Sequence, residues 1–167
     1  MEILDSGERF VFEKTGAVRD MQEGKGRLDL VPFDVALDIM AGYDRANVFR
    51  WIWEFSITGD YGNLLYIIES FAKVREWDLA TLMIEVSKQF EDGCRKYGLD
   101  NWKKGLPARI YVNSALRHYL KWLRGDQDEP HDRAFVWNLM ACIWTCRHRP
   151  DLNEYIKRSD SNGEELN

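Results

Sequence analysis

The sequence has only three cysteines among its 167 residues. An odd number in a tryptophan-rich chain argues against a disulfide framework, so we expect Cys94, Cys142 and Cys146 to be reduced and mostly buried. The chain also lacks any apolar run of the roughly 18 residues that a membrane-spanning helix requires. Its first residues do not show the basic and then apolar layout of a signal peptide. We therefore expect a cytoplasmic protein with no membrane partner.

An excess of positive charge is missing as well. The chain has 28 acidic and 23 basic residues, which give a formal net charge of -5. This balance argues against a nucleic-acid partner, although local basic clusters can still bind small anions. Hydrophobic residues make up 45% of the chain and aromatic residues 13%, which is enough for one sizeable core.

Helical periodicity dominates the sequence after Pro32 and predicts an all-α fold, a compact helical bundle. We expect one helical domain over residues 33–157. It is preceded by an N-terminal arm, residues 1–32, and followed by a disordered tail, residues 158–167. Glycines and scattered charges in the arm indicate an extended loop rather than a packed element.

The clearest periodic segment runs from Leu79 to Tyr97 and follows Asp78, a favourable N-cap. Its apolar residues recur at intervals of three and four, which predicts one buried stripe along the helix. The helix that begins after Pro130 is apolar nearly all round and is predicted to be central. An aromatic run at Phe49–Phe55 indicates either a buried helix or a seam between copies of a homo-oligomer.

Acidic residues gather at the start of the helix that follows Pro130. Oxygen ligands at this density are typical of a Mg²⁺ or Mn²⁺ site. The alternative is that these carboxylates only complement the helix dipole. The predicted metal ligands are Glu85, Glu91, Asp126, Asp128 and Asp132. The predicted catalytic residues are Glu85, Asp128 and His131.

Basic and aromatic residues on the neighbouring segments are of the types that hold a phosphorylated base. Arginine and lysine suit a polyphosphate, whereas rings and an amide at a helix end can stack on a base and read its edge. The alternatives are a solvated helix face for each cation and core packing for Tyr97. The predicted nucleotide-binding residues are Lys25, Arg27, Lys96, Tyr97, Asn101, Trp102, Lys104, Arg117, His118 and Asn138.

Four separated blocks carry a resemblance to a known family. They read GAVRDMQEGKGRLDLVP, KYGLDNWKKG, SALRHYLKWLRGD and DEPHDRAFVWN, in that order. Together they resemble the phage and bacterial family called dATP/dGTP diphosphohydrolase, N-terminal domain, over most of residues 16–147. Residues from about 43 to 78 look like an insertion, for which the sequence suggests no function.

The resemblance implies a fold similar to the MazG-type pyrophosphohydrolases. It also implies metal-dependent hydrolysis of purine deoxynucleoside triphosphates to monophosphate and diphosphate, in the host cytoplasm if the gene is a phage's. Lys96 and Arg117 would then neutralise the departing diphosphate. A dimer or tetramer is expected, because MazG-like domains seldom enclose a site from one chain.

The chain departs from the paired acids of MazG enzymes, E-x-x-E on one helix and E-x-x-D on the next. Glu85 is followed three residues later by Lys88, and His131 by Ala134. The alternative function is therefore a non-catalytic sponge, which would sequester a nucleotide or a cyclic-nucleotide immune signal without cleaving it.

Overall fold

The computed structural model describes residues 8–40 and 42–155. Within these residues the chain forms six α-helices and one two-stranded antiparallel sheet, which confirms the predicted all-α helical fold. The strands are β1, Arg9–Phe12, and β2, Ala17–Asp20. The helices are α1, Phe33–Met40; α2, Val48–Thr58; α3, Gly62–Val74; α4, Leu79–Tyr97; α5, Ala108–Arg124; and α6, His131–His148.

The N-terminal arm was predicted to be an extended loop, but part of it forms a packed β-hairpin. Strands β1 and β2 form a hairpin in which Phe12 pairs with Ala17 and Arg9 with Asp20. Gly16 has a φ of +70°, which a glycine adopts without the steric cost that a Cβ would bring. The hairpin also packs against the helices, since Ala17 is buried in the common core.

Local capping signals explain where several helices begin and end. The Asp78 carboxylate accepts a hydrogen bond from the Thr81 N–H at 2.7 Å, as predicted for the N-cap of α4. Asp44 accepts one from the Phe49 N–H at the start of α2, although Asn47 is the N-cap residue of that helix. Gly125 closes α5 in a left-handed conformation.

The core centres on Phe71 of α3, a fully buried ring. Its centroid lies 4.8 Å from that of Phe135 on α6 and 4.9 Å from that of Trp122 on α5, both in edge-on geometry. Phe49 and Phe55 of the aromatic run are also buried within this chain. Residues 43–78, predicted to be an insertion, therefore supply central parts of the core.

The buried stripe predicted for α4 is wrong in its first half. Leu79 is 75% exposed and Met83 51% exposed, and Val86 is the only buried residue among the described residues of this helix. Periodicity shows which face of a helix is apolar, but it does not show whether another element covers that face. Here α4 rests on α6, and in the first half of the stripe only Leu82 is partly buried against the core.

Helix α6 is the central helix, as predicted, and contacts α3, α4 and α5. Eleven of its residues are buried, including the polar side chains of His131 and Asn138. No helix in the described part of the chain is long and apolar enough to cross a membrane. The tail predicted to be disordered, residues 158–167, lies outside the described residues.

Candidate functional site

An open polar cavity of about 410 Å³ lies between the hairpin and helices α4, α5 and α6. This volume is within the usual range for small-molecule sites. The cavity includes seven of the predicted site residues, namely Lys25, Lys96, Tyr97, Arg117, His118, Asp128 and Asn138. The fold thus brings together residues that are up to 113 positions apart in the sequence, as Lys25 and Asn138 are.

Cations line this cavity, although the whole protein is acidic. Arg19 comes from β2, Lys25 from the following loop, Lys96 from α4, and Arg117 and Lys121 from α5. The Arg19 Nη2 donates to the Asn138 Oδ1 at 2.5 Å, and its guanidinium lies 5.0 Å from the centre of the Trp137 ring. The Lys96 Nζ donates to the Asp20 Oδ2 at 2.7 Å.

The pKa shifts in the cavity reflect this crowding of positive charge. Burial lowers the pKa of Arg117, and the nearby Arg19 lowers it further. Partial burial likewise lowers the pKa of Lys25; Asp20 opposes this shift, whereas Arg117 and Lys96 add to it. Burial opposes protonation of Lys96 too, but the hydrogen bond to Asp20 raises its pKa overall. A bound anion would relieve the repulsion among these cations.

Two buried donors in the cavity wall have no hydrogen-bond partner among residues 8–40 and 42–155. They are the Nη1 of Arg117 and the Nε1 of Trp137. The other terminal nitrogen of Arg117 donates to Gln22 at 2.8 Å and to Ser114 at 3.1 Å. A buried donor without a partner costs about 1–3 kcal/mol. Both atoms are shielded from solvent in this structure, so a ligand in the cavity would reach them only if neighbouring side chains move.

A narrow aromatic crevice adjoins the cavity. The crevice and the cavity share Arg19, Gly93, Tyr97 and Trp137, so these residues stand where the two spaces meet. Burial raises the pKa of the Tyr97 hydroxyl, which therefore stays neutral at physiological pH. The arrangement places flat rings next to the cluster of cations.

Two imidazoles and two carboxylates cluster where α5 approaches the start of α6, at the side that we call the mouth of the cavity. His118, Asp128 and Glu129 line the cavity there, whereas His131 is buried and is not part of the lining. The Nδ1 atoms of His118 and His131 are 3.0 Å apart, and the Nε2 of His131 is 2.8 Å from the Asp128 Oδ1. The Glu129 Oε1 lies 3.5 Å from both Nδ1 atoms. Burial lowers the pKa of His118 to about 3, and electrostatic interactions with His131 and Arg19 act in the same direction.

Of the five predicted metal-binding carboxylates, the structure brings only Asp126 and Asp128 close to each other. Glu85 pairs with Lys88 and Glu91 with Arg95, both on the solvent side of α4. Arginines engage two of the other predicted ligands, Asp126 by Arg124 and Asp132 by Arg75 at 2.8 Å. Asp92, which is not one of the five, is held by Arg133 at 2.7 Å. Of the five predicted ligands, Asp128 alone lines the cavity.

Some predicted nucleotide-binding residues hold the hairpin instead. The Asn101 side chain accepts from the Val18 N–H at 2.9 Å and donates to the Val18 carbonyl at 3.0 Å. The Lys104 Nζ donates to the Gly16 carbonyl at 3.2 Å. Because these side chains bond the backbone of β2 and its turn, their observed role is to dock the hairpin.

Two other predicted residues lie outside the main cavity. Arg27 forms a two-pronged pair with Asp29. Trp102 lines the narrow crevice, with its ring between those of Phe90 and Trp144 at centroid distances of 5.1 and 5.2 Å. Trp102 is thus mainly a packing residue at the edge of the site.

Sequence reasoning missed several residues of the cavity, above all Arg19, Asp20 and Trp137. The first two lie on β2, in the arm that was predicted to be a loop. A hairpin signal was present, since apolar residues at Phe10–Phe12 and at Ala17–Val18 flank a short turn that contains Gly16. Trp137 gave no such signal, because a tryptophan on an apolar helix is indistinguishable from a core residue.

A known protein family matches most of the helical part of the chain. The family model described as dATP/dGTP diphosphohydrolase, N-terminal, matches residues 61–154, more than half of the chain. The chain belongs to this family. The matched span covers α3 to α6 and so includes residues 61–78 of the segment that was predicted to be an insertion. The hairpin, with Arg19 and Asp20, lies outside the span.

Searches of curated proteins and of solved structures found no match. Membership in a diphosphohydrolase family suggests the use of a divalent metal. Among residues 8–40 and 42–155, two sets of three residues have donor atoms within 4.8 Å of one another: His118, Glu129 and His131, and Asp126, Asp128 and His131. Imidazole and carboxylate donors of this kind fit a divalent cation.

Proposed function

We propose that this member of the dATP/dGTP diphosphohydrolase family binds a purine deoxynucleoside triphosphate in the polar cavity and hydrolyses it to monophosphate and diphosphate. The observation that carries the proposal is the convergence of Arg19, Lys25, Lys96 and Arg117 in one cavity of an acidic protein. The family description supplies the reaction class.

The cations are suited to the triphosphate. Arg117 is the strongest candidate, because one of its guanidinium nitrogens has no partner in the described part of the chain and phosphate oxygens accept charge-assisted hydrogen bonds from arginine. Lys25 and Lys96 add positive charge from two other elements. Such a cluster stabilises the negative charges of the ionised triphosphate and of the diphosphate that leaves.

The rings next to the cations are suited to the base. Tyr97 and Trp137 stand where the cavity meets the aromatic crevice, and the indole N–H of Trp137 lacks a partner within the described residues. A purine that stacks on the Tyr97 ring, rather than on the indole itself, would present ring nitrogens as acceptors for this N–H. The same placement would direct the phosphates toward Arg117 and the cavity mouth.

A divalent metal, when bound at the mouth, would polarise the phosphate and lower the pKa of the attacking water. The residues of the chain would do the remaining work. The cations would orient the phosphates, and the rings would fix the base, so that the nucleotide is held against the mouth of the cavity.

The test is to incubate the purified protein with single nucleoside triphosphates and a divalent metal, filter the mixture, and chromatograph both the filtrate and the denatured retentate. We expect dATP or dGTP to yield monophosphate and diphosphate in the filtrate. Arg117→Gln should weaken nucleotide binding about 10- to 100-fold, because it removes one charge-assisted hydrogen bond, which contributes about 1.5–3 kcal/mol.

A matched control lies on the same helix. Arg109 is exposed and pairs with Glu154 at 2.8 Å outside the cavity, so Arg109→Gln should leave binding unchanged. Equal binding by wild type and Arg117→Gln, with circular dichroism showing that both are folded, would refute the location of the phosphates.

Capture without hydrolysis is the second candidate, and one observation favours it. Two carboxylates in the cavity wall are both held by cations, Asp20 by Lys96 and Asp92 by Arg133, each at 2.7 Å. They are therefore less available to activate a water. In the same assay, a nucleotide or cyclic dinucleotide that is lost from the filtrate and recovered intact on denaturation would identify this function.

A further inference from the structure

The mouth of the cavity contains a cluster whose geometry differs from the carboxylate site that the sequence predicted. His118 comes from α5, His131 begins α6, and Glu129 precedes α6 in the connecting loop. Their three donor atoms form a triangle with sides of 3.0, 3.5 and 3.5 Å. Two ligands bonded to one metal at about 2.1 Å lie roughly 3.0–3.4 Å apart, so an ion can contact all three atoms.

The hydrogen bonds around His131 determine which of its nitrogens is available. Asp128 accepts at 2.8 Å from the Nε2 of His131, so in the neutral ring the proton is on Nε2 and Nδ1 is an acceptor. Without a metal, the Nδ1–H of His118 donates to this Nδ1 at 3.0 Å. A metal ion would replace that proton, which His118 would then carry on its Nε2, and would bind the Nδ1 lone pair of His131. That lone pair faces the Nδ1 of His118 and the Glu129 carboxylate. A carboxylate that orients a metal-binding histidine through its other nitrogen is a recurrent feature of metal sites.

Burial favours a rigid site that is open on one side. The side chain of His131 is only 1% exposed and that of His118 18% exposed, whereas that of Glu129 is 43% exposed. His118 and Glu129 also line the polar cavity. Three protein ligands would leave at least one position for water or a phosphate oxygen, as in catalytic metal sites.

We propose that His118, Glu129 and His131 bind one divalent transition metal ion, such as Mn²⁺, Co²⁺ or Zn²⁺, and that Asp128 positions His131 through its hydrogen bond to Nε2. Imidazole ligands favour these ions over Mg²⁺, which prefers oxygen ligands. The competing set of Asp126, Asp128 and His131 is less suitable, since Arg124 holds Asp126 through two hydrogen bonds.

This site adjoins the proposed nucleotide cavity, but its test needs no nucleotide. A failure of the proposed metal site can therefore be told apart from a failure of the proposed nucleotide hydrolysis. Protein stripped with a chelator is titrated with Mn²⁺, Co²⁺, Zn²⁺ and Mg²⁺ by calorimetry, and the visible spectrum of the Co²⁺ form is recorded. We expect one equivalent of a transition metal, tighter binding than for Mg²⁺, and a Co²⁺ spectrum that reports nitrogen ligation.

Variants separate the two sets of ligands. Glu129→Gln and His118→Gln should each lower the metal affinity at least 100-fold, whereas Asp128→Asn should lower it about 10- to 100-fold and retain the stoichiometry of one. The third histidine of the chain, His148, is exposed and bonds the Trp144 carbonyl, so His148→Gln is a matched control with unchanged binding.

The outcomes that would overturn the proposal are specific. One is that no transition metal binds to the stripped wild-type protein. Another is that Asp126→Asn abolishes binding while Glu129→Gln does not, which would place the ion in the competing set. Glu129 is partly exposed, so Glu129→Gln should fold, and its affinity decides the question even if His118→Gln is unstable.

Discussion

Replacing Asn101 with alanine tests whether this residue docks the hairpin or contacts a ligand. The residue is only 8% exposed, and its side chain makes two hydrogen bonds to the Val18 backbone, at 2.9 and 3.0 Å. At about 0.5–1.5 kcal/mol for each bond, the free energy of unfolding should fall by roughly 1–3 kcal/mol. For a chain of this size, a loss near 2 kcal/mol corresponds to a decrease in Tm of about 4–8 °C.

The assay is thermal unfolding of wild type and Asn101→Ala, followed by nucleotide titration at a temperature where both are folded. We expect the lower Tm together with weaker binding, because the hairpin that Asn101 docks carries Arg19 into the cavity. Lys103→Ala is the control in the same segment, since Lys103 is exposed and pairs with Asp100 at the surface. An unchanged Tm with abolished binding would refute the docking role and restore Asn101 as a ligand contact.

Two further predictions concern the scaffold. Asp78→Ala should lower the free energy of unfolding by about 1 kcal/mol in urea titrations, because it removes the N-cap bond of α4; an unchanged midpoint would show that water replaces the cap. Asp29→Asn should reduce the pH dependence of stability below about pH 4. The hydrogen bond from Arg27 holds the pKa of Asp29 below its usual value, so the stabilisation is present at higher pH and lost as pH falls through the lowered pKa. Identical acid unfolding curves for wild type and the Asp29→Asn variant would contradict this prediction.

The structure changes the interpretation of the sequence at several residues that were assigned to one site. Asn101 and Lys104 dock the hairpin, whereas Glu85 and Glu91 pair with neighbours one helical turn away. Residue type alone favoured all four as site residues. Their local partners were not apparent, because an ion pair within a helix and a ligand contact use the same charged groups.

The family match and the residues of the polar cavity overlap only in part. The family match covers α3 to α6, which include Lys96, Arg117 and His131. The hairpin outside the match adds Arg19 and Asp20 to the same cavity. A comparison of sequences within the matched span would therefore omit one wall of the proposed site.

The sequence by itself determined the helical class, the bounds of α4, the start of α6, the family and a central role for α6. The helical features depend on local signals: periodicity, the Asp78 cap, and Pro130 before the first turn of α6. It also identified Arg117 and Lys96 as candidate phosphate ligands from their chemistry.

The tertiary structure alone decided which of the candidate side chains share a space. The approach of α5 to the start of α6 places the two Nδ1 atoms of His118 and His131 within 3.0 Å, and hairpin packing brings Arg19 beside Trp137. It likewise left Leu79 and Met83 uncovered on an apolar face. Such contacts depend on the relative position of elements distant in sequence, whereas periodicity and capping report only on the segment that contains them.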